Sequence, residues 1–163
     1  MPSKTQSIIV GALVYVVLGL LIQFLFIGTT LGGVLGCLVL LSAGLIAVWH
    51  YTSTHSVTIA GGQGAGMGAL AGFAGAIIGG LLGYLLISLG VMDDPMEAAL
   101  AQMESQGLSD EQIEQGMAMA ERFSNPVISM VIGSALGAIL GAISGAVGAL
   151  IFKKGGDEDE VVA

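Results

Sequence analysis

The sequence predicts an all-α fold: a polytopic membrane protein of four transmembrane helices, with an extramembrane acidic helical hairpin between the third and the fourth. Two observations carry this prediction. Of the 163 residues 55% are apolar and only 10% charged, against about a quarter charged in ordinary soluble domains. The charges are also segregated, because no Asp, Glu, Lys or Arg lies between Lys4 and Asp93, and none between Arg122 and Lys153. A hydrocarbon core about 30 Å thick takes roughly 20 apolar helical residues per crossing. The first gap therefore holds three spans and the second holds one.

The first span is 8–27, interrupted only by Gln23, and Gly28-Thr29-Thr30 is a turn short enough to force a tight hairpin into a second span, 31–49. Residues 8–27 follow Lys4 as the apolar part of a signal peptide would. They are nevertheless as long as a full crossing and are followed at once by another hydrophobic segment, which favours a span. Trp49, His50 and Tyr51 form an amphipathic group suited to a membrane interface, and the polar stretch TSTHSVTIAGGQ, 52–63, reads as a surface loop. The third span, 64–91, exceeds one crossing, which implies tilt or an end among the headgroups.

The charged region 94–123 reads as a helical hairpin. Asp94 as N-cap, Pro95 at the first helical position and Glu97 make a capping box. Gly107 suits the stop of that helix, and Ser109 with Gln112 makes a second capping box that opens a helix to about Phe123. Asn125-Pro126 closes it and starts the fourth span, 127–152, because proline is poor inside a helix and good in its first turn. The acidic tail 155–163 is expected to be disordered, and the whole chain, 1–163, is one integral membrane domain. Lys4, Lys153 and Lys154 fall on one side of a four-span chain against Arg122 on the other, so both termini are expected to be cytoplasmic and the acidic hairpin to face outward.

Spans three and four carry small residues at four-residue spacing: Gly64, Gly68, Gly72, Gly75, Gly79 and Gly83 in one, Gly133, Gly137, Gly141 and Gly145 in the other. Four residues advance a helix about 40° beyond a full turn, and the single three-residue step from Gly72 to Gly75 sets it back about 60°. The six glycines of span three thus keep to one face, a glycine zipper of small-xxx-small type that lets another helix approach backbone to backbone. Ser134, Ala138, Ala142 and Ala146 extend the small face of span four. The first expectation is that these two spans pack on each other. A face left over would serve a homo-oligomer or a membrane-complex partner.

The chemistry of sites is sparse. The formal net charge of −8 comes from the hairpin and the tail, and a total of four Lys and Arg is too few for a nucleic-acid surface. The lone Cys37 forms no intrachain disulfide and is expected to be a small buried packing residue. No ionisable residue lies within the spans, where proton and ion pathways usually leave one. Gln23, Ser42, Ser88, Ser134 and Ser144 are expected to be satisfied by helix backbone or a neighbouring helix. His50 and His55 lie off the spacing of two ligands on one helical face, and read as solvated interfacial side chains. Met92, Met96, Met103, Met117 and Met119 offer soft sulfur ligands for monovalent copper, but Met96, Leu100 and Met103 share one stripe, as do Ile113 and Met117, which favours packing. The hairpin carboxylates lack calcium-loop spacing, and nothing resembles a nucleophile with its base or a phosphate loop after a strand. No cofactor and no metal site is expected, and no catalytic residue.

The run Gly107-Leu108-Ser109-Asp110-Glu111-Gln112-Ile113-Glu114-Gln115, the Met117-x-Met119 pair, Phe123, Pro126 and the closing Ile151-Phe152-Lys153-Lys154 resemble a family of small bacterial inner-membrane proteins known only as a domain of unknown function. The resemblance is strongest over 92–154. It implies a four-span protein of the bacterial inner (cytoplasmic) membrane and brings no activity and no site residues. The expected role is that of a non-enzymatic integral membrane protein in the lipid bilayer, acting through helix association as an accessory or envelope factor. The alternative is an oligomeric pore or carrier for small neutral solutes.

Overall fold

The computed structural model describes residues 3–26, 30–92, 95–123, 125–153 and 161–162. Six helices run in the order α1 (Thr5–Phe26), α2 (Thr30–His55), α3 (Gly61–Ser88), α4 (Pro95–Ser105), α5 (Asp110–Phe123) and α6 (Pro126–Ile151), with the two-residue strands β1 (Thr58–Ile59) and β2 (Val161–Val162). Helices α1, α3 and α6, and α2 from Val34 onward, are long and apolar enough to cross a membrane. Their outward faces carry large apolar side chains in the open, among them Phe24 (65% exposed), Leu25 (66%) and Val127 (69%). Water would penalise such a surface heavily, whereas hydrocarbon does not. The chain is a multi-pass membrane protein.

Helices α3 and α6 form the tightest pair, running antiparallel, and α2 packs on α1, α3 and α6. The approach of α3 to α6 is set by backbone. A Cβ built on Gly64 would strike the Gly145 carbonyl, one on Gly68 the Gly141 carbonyl, and one on Gly72 the Gly137 carbonyl; the reverse substitutions meet the same partners, a Cβ on Gly137 lying 2.7 Å from the Gly72 oxygen. Gly44 of α2 sits against Gly141, Ser144 and Gly145, and Gly11 of α1 lies where a Cβ would be 2.6 Å from the Ala43 carbonyl. Ala43, Ala47 and Ala71 are fully buried at the same level. Lipid tails are as apolar as the side chains, so helix association here rests on dispersion contacts that only short side chains permit.

The helix ends follow local rules. Ser109 and Gln112 close a reciprocal capping box: the Ser109 N–H donates to Gln112 Oε1 at 3.0 Å and the Gln112 N–H to Ser109 Oγ at 3.4 Å. Asn125 Oδ1 accepts from the Val127 and Ile128 N–H groups at 3.0 and 3.4 Å, with Pro126 opening α6. Gly107, at φ +68°, ends α4, and Gly90, at φ +69°, ends α3. In each the paired bonds of a Schellman motif are present, Gly107 N–H to Glu104 O and Leu108 N–H to Met103 O, Gly90 N–H to Ile87 O and Val91 N–H to Leu86 O. The third span therefore stops at Ser88 rather than 91. The capping box of Asp94 and the turn residues Gly28 and Thr29 lie outside the described residues, while Thr30 is already helical.

The link between α2 and α3 departs most from expectation. The second span does not end at Trp49 and 52–63 is not a surface loop: α2 continues to His55 and α3 begins at Gly61. Thr52 is fully buried and its hydroxyl donates back to the Val48 and Trp49 carbonyls at 3.0 and 3.2 Å, so its polar group costs nothing inside the helix. Tyr51, Ile59, Val48, Met67 and Ala149 form a core cluster here. Of the tail, 155–160 and 163 lie outside the described residues. Val161 and Val162 pair in parallel with Thr58 and Ile59, a β-branched match to an extended link whose backbone groups lie outside any helix.

Leucine at Gly68 or Gly141 is expected to destabilise the bundle by about 3 kcal/mol or more, because the clash is with backbone that cannot turn aside. Leucine at Gly36, whose Cβ meets nothing within 4 Å, should stay within about 0.5 kcal/mol of wild type. Thermal melting in mild detergent reads both. Asn125→Ala should cost about 1 kcal/mol in the same assay through loss of the α6 cap, and Asn125→Ser should recover most of it.

Candidate functional site

The small residues that join α3 to α6 continue past the contact, and there the helices part. Between α1, α3 and α6, on the α4–α5 side of the Gly72–Gly137 contact, lies a cavity of about 930 Å³. Ala76, Gly79, Gly80, Gly83 and Ile87 of α3, Gly19 and Leu20 of α1, and Met130 and Gly133 of α6 form its walls; Met96 and Ala99 of α4 and Ala120 of α5 also line it. Its volume is that of a small-molecule site. Among the described residues no lining residue is charged.

Several polar side chains line this apolar space: Tyr15, Gln23, Tyr84 and Ser129. The Tyr15 ring lies along α3, its Cδ1 2.6 Å from a Cβ built on Gly75 and its Cε1 3.9 Å from one built on Gly79. Its hydroxyl end is thus on the Gly79 side, away from the closed end of the bundle. Gln23 Oε1 sits 4.0 Å from a Cβ built on Gly83, one helical turn of α3 further on, about 6 Å. Ser42, Ser88, Ser134 and Ser144 each donate to the carbonyl three residues earlier in their own helix. Gln23 makes no such bond, and neither its amide nor the Tyr15 hydroxyl has a hydrogen-bond partner among the described residues.

The glycines singled out in the sequence divide into three groups by position. Gly64, Gly68 and Gly72 meet Gly145, Gly141 and Gly137; Gly75 lies under Tyr15; Gly79, Gly83 and Gly133 line the cavity. Tyr15, Gly11 and Gly44 were not singled out. A tyrosine amid a run of aliphatic residues was the available signal for the first. Cys37 is exposed rather than buried, because the first half of α2 packs on α1 through its other face. Of the hairpin methionines, Met92 is buried, Met103 packs on Gly116, Met96 reaches the cavity and Met119 is 65% exposed. No group of three or more His, Cys, Asp or Glu comes together among the described residues.

The opposite end of the bundle is tied by side-chain hydrogen bonds. The buried Ser7 hydroxyl meets His50 Nδ1 at 2.9 Å, Lys4 Nζ donates to Gln63 Oε1 at 3.1 Å, and the Tyr51 and His55 rings stack edge to face at 5.0 Å. His50 is therefore not a merely solvated side chain. Its partner on α1 lies 43 residues away in sequence, beyond the reach of any local rule. Ser7→Ala and His50→Ala should each destabilise by about 1 kcal/mol, and the double variant by less than the sum. Additive losses in a melting cycle would show that the pair contributes no coupling.

No curated protein matches the chain, and no solved structure does either. The family model described as "Protein of unknown function (DUF4199)" matches residues 7–154, which takes in the four long helices almost whole together with α4 and α5. The match extends well before the segment 92–154 where the resemblance is strongest by eye. With the bundle, its cavity and most of the chain inside that match, the protein belongs to the DUF4199 family of proteins of unknown function.

Proposed function

We propose that this is a non-enzymatic membrane protein that holds one small uncharged molecule in the cavity between α1, α3 and α6, as a binding protein or carrier working within a single chain. The carrying observation is the cavity itself, about 930 Å³ with no charged residue among the described residues of its lining. The glycine zipper of α3 and α6 acts inside the chain on this reading, building the closed end against which the cavity stops. An oligomeric pore fits less well. The stretch of α3 from Ala76 to Ile87 rises about 16 Å, half of a hydrocarbon core of about 30 Å. With both termini in the cytoplasm, as the placement of lysines favours, the cavity lies in the outer leaflet of a bacterial inner membrane, and the α4–α5 hairpin stands outside it.

A second reading, an accessory or envelope factor that meets a partner through the hairpin, is favoured by the exposed Glu97, Glu104, Asp110, Glu111 and Glu114. The two readings separate in one experiment. Protein extracted in mild detergent and weighed by native mass spectrometry should carry one small-molecule adduct per chain. Gly133→Leu has room for its Cβ, since nothing lies within 4 Å, so it should fold and lose the adduct. A protein partner that remains with Gly133→Leu but leaves with Glu111→Lys/Glu114→Lys would favour the hairpin reading instead.

A further inference from the structure

We infer that the cavity takes an uncharged amphiphile, a molecule with an apolar body and a hydroxyl- or carbonyl-bearing head, and that Tyr15 and Gln23 hold that head over a floor of glycine backbone. The inference rests on the binding reading above and adds to it the class of ligand and the groups that recognise it.

The chemistry follows from what the cavity offers and what it lacks. A polar group in hydrocarbon without a partner costs several kcal/mol on alkane-transfer scales. At Ser42, Ser88, Ser134 and Ser144 the chain answers this demand by bonding the hydroxyl to its own helix, and at Ser7 by bonding it to His50, while the buried Ser53 hydroxyl has no partner among the described residues. Tyr15 and Gln23 are half-buried in the lining of this cavity and neither side chain has a hydrogen-bond partner among the described residues; Tyr84, which also lines it without one, is 58% exposed. The Tyr15 ring points its hydroxyl end toward Gly79, and the Gln23 carbonyl lies by Gly83. The two groups therefore converge on one turn of α3. Together they present hydroxyl and amide donors and two acceptors, a set that satisfies a neutral carbonyl or hydroxyl. Among the described residues of the lining there is no cation to neutralise a phosphate or carboxylate and no carboxylate to neutralise an amine. A charged head would enter without a counter-ion.

Geometry selects the body of the ligand as well. Gly79, Gly83 and Gly133 strip the walls of side chains and leave a slot long in the direction of the helices. Helices α1 and α6 do not pack closely on each other. They are joined through α2 and α3, so the slot between α1 and α6 has few direct contacts across its open side. A molecule already dissolved in the leaflet is the natural occupant of a half-membrane slot of this kind, and its apolar part need not leave hydrocarbon to bind.

The test uses the full chain in phosphatidylcholine nanodiscs and displacement of a fluorescent diacylglycerol. Unlabelled dioleoylglycerol, a hydroxyl-headed probe, and decylubiquinone, a carbonyl-headed one, report which neutral head is preferred; phosphatidylglycerol reports a charged head and glycerol a head without a body. Displacement by either neutral amphiphile, with phosphatidylglycerol and glycerol without effect, is the expected result. Tyr15→Phe keeps the ring on Gly75 and removes only the hydroxyl. It and Gln23→Leu should each weaken binding about three- to tenfold, the worth of one hydrogen bond, with melting unchanged, and Gly133→Leu should abolish binding. Equal displacement by phosphatidylglycerol, or Tyr15→Phe and Gln23→Leu binding as tightly as wild type while Gly133→Leu does not, would overturn this inference and leave the cavity reading standing. Displacement by glycerol alone would do the same. If Gly133→Leu and Gly79→Leu both bound every probe like wild type, the cavity reading itself would fall.

Discussion

The contact between the backbones of α3 and α6 is the constraint from which the rest of the bundle follows. In water, burying apolar surface would hold two such helices together whatever their side chains. In hydrocarbon that drive is absent, and what remains is how many atoms can be brought to van der Waals distance. At Gly64, Gly68 and Gly72 the opposing carbonyls of Gly145, Gly141 and Gly137 occupy the space in which a Cβ would stand. No residue with a side chain reproduces that distance. Because both helices repeat their glycines every four residues in opposite directions, the contact holds its register over two turns, and α2 can seat Gly44 across it against Gly141 and Gly145.

The same contact accounts for the cavity. Where Gly72 meets Gly137 the helices touch, and one step further Tyr15 is laid over Gly75 where a partner glycine would otherwise have come. Beyond this ring α3 and α6 still lack side chains at Gly79, Gly80, Gly83 and Gly133, but no backbone closes on them. Glycine on a helix face thus has two uses in one molecule. It brings backbones together where a second glycine opposes it, and it leaves a void where no backbone does. The hairpin helices α4 and α5 contribute Met96, Ala99 and Ala120 to the edge of that void.

The two ends of the bundle differ in kind. Around Ser7, His50, Lys4 and Gln63 the helices are cross-linked by directed hydrogen bonds, and the link between α2 and α3 is further pinned by its pairing with Val161 and Val162. At the other end α4 packs chiefly on α5, and α5 touches α6 only lightly. Interhelical polar bonds add modestly to stability in a membrane protein. Their placement at one end matters more than their sum, since it concentrates order around the closed half of the bundle.

Much of the architecture was legible in the sequence because its determinants are local. The four spans follow from two long stretches without charge, and the ends of α4, α5 and α6 follow from Gly107, the Ser109 and Gln112 box, and Asn125-Pro126, each of which acts within four or five residues of itself. The end of α2 was not legible. Thr52 and Tyr51 look polar in isolation, and only the core formed with Met67 and Ala149 makes them interior. His50 likewise takes its meaning from Ser7 on another helix. The glycine repeats show the limit most plainly: ten glycines, four apart but for the step from Gly72 to Gly75, are equivalent as text, and the sequence by itself determined that spans three and four carry faces open to close approach. Which of them meet backbone, which lies under Tyr15 and which face a void was decided by the tertiary structure, because a glycine specifies only the absence of a side chain, and what fills that absence comes from the helix opposite.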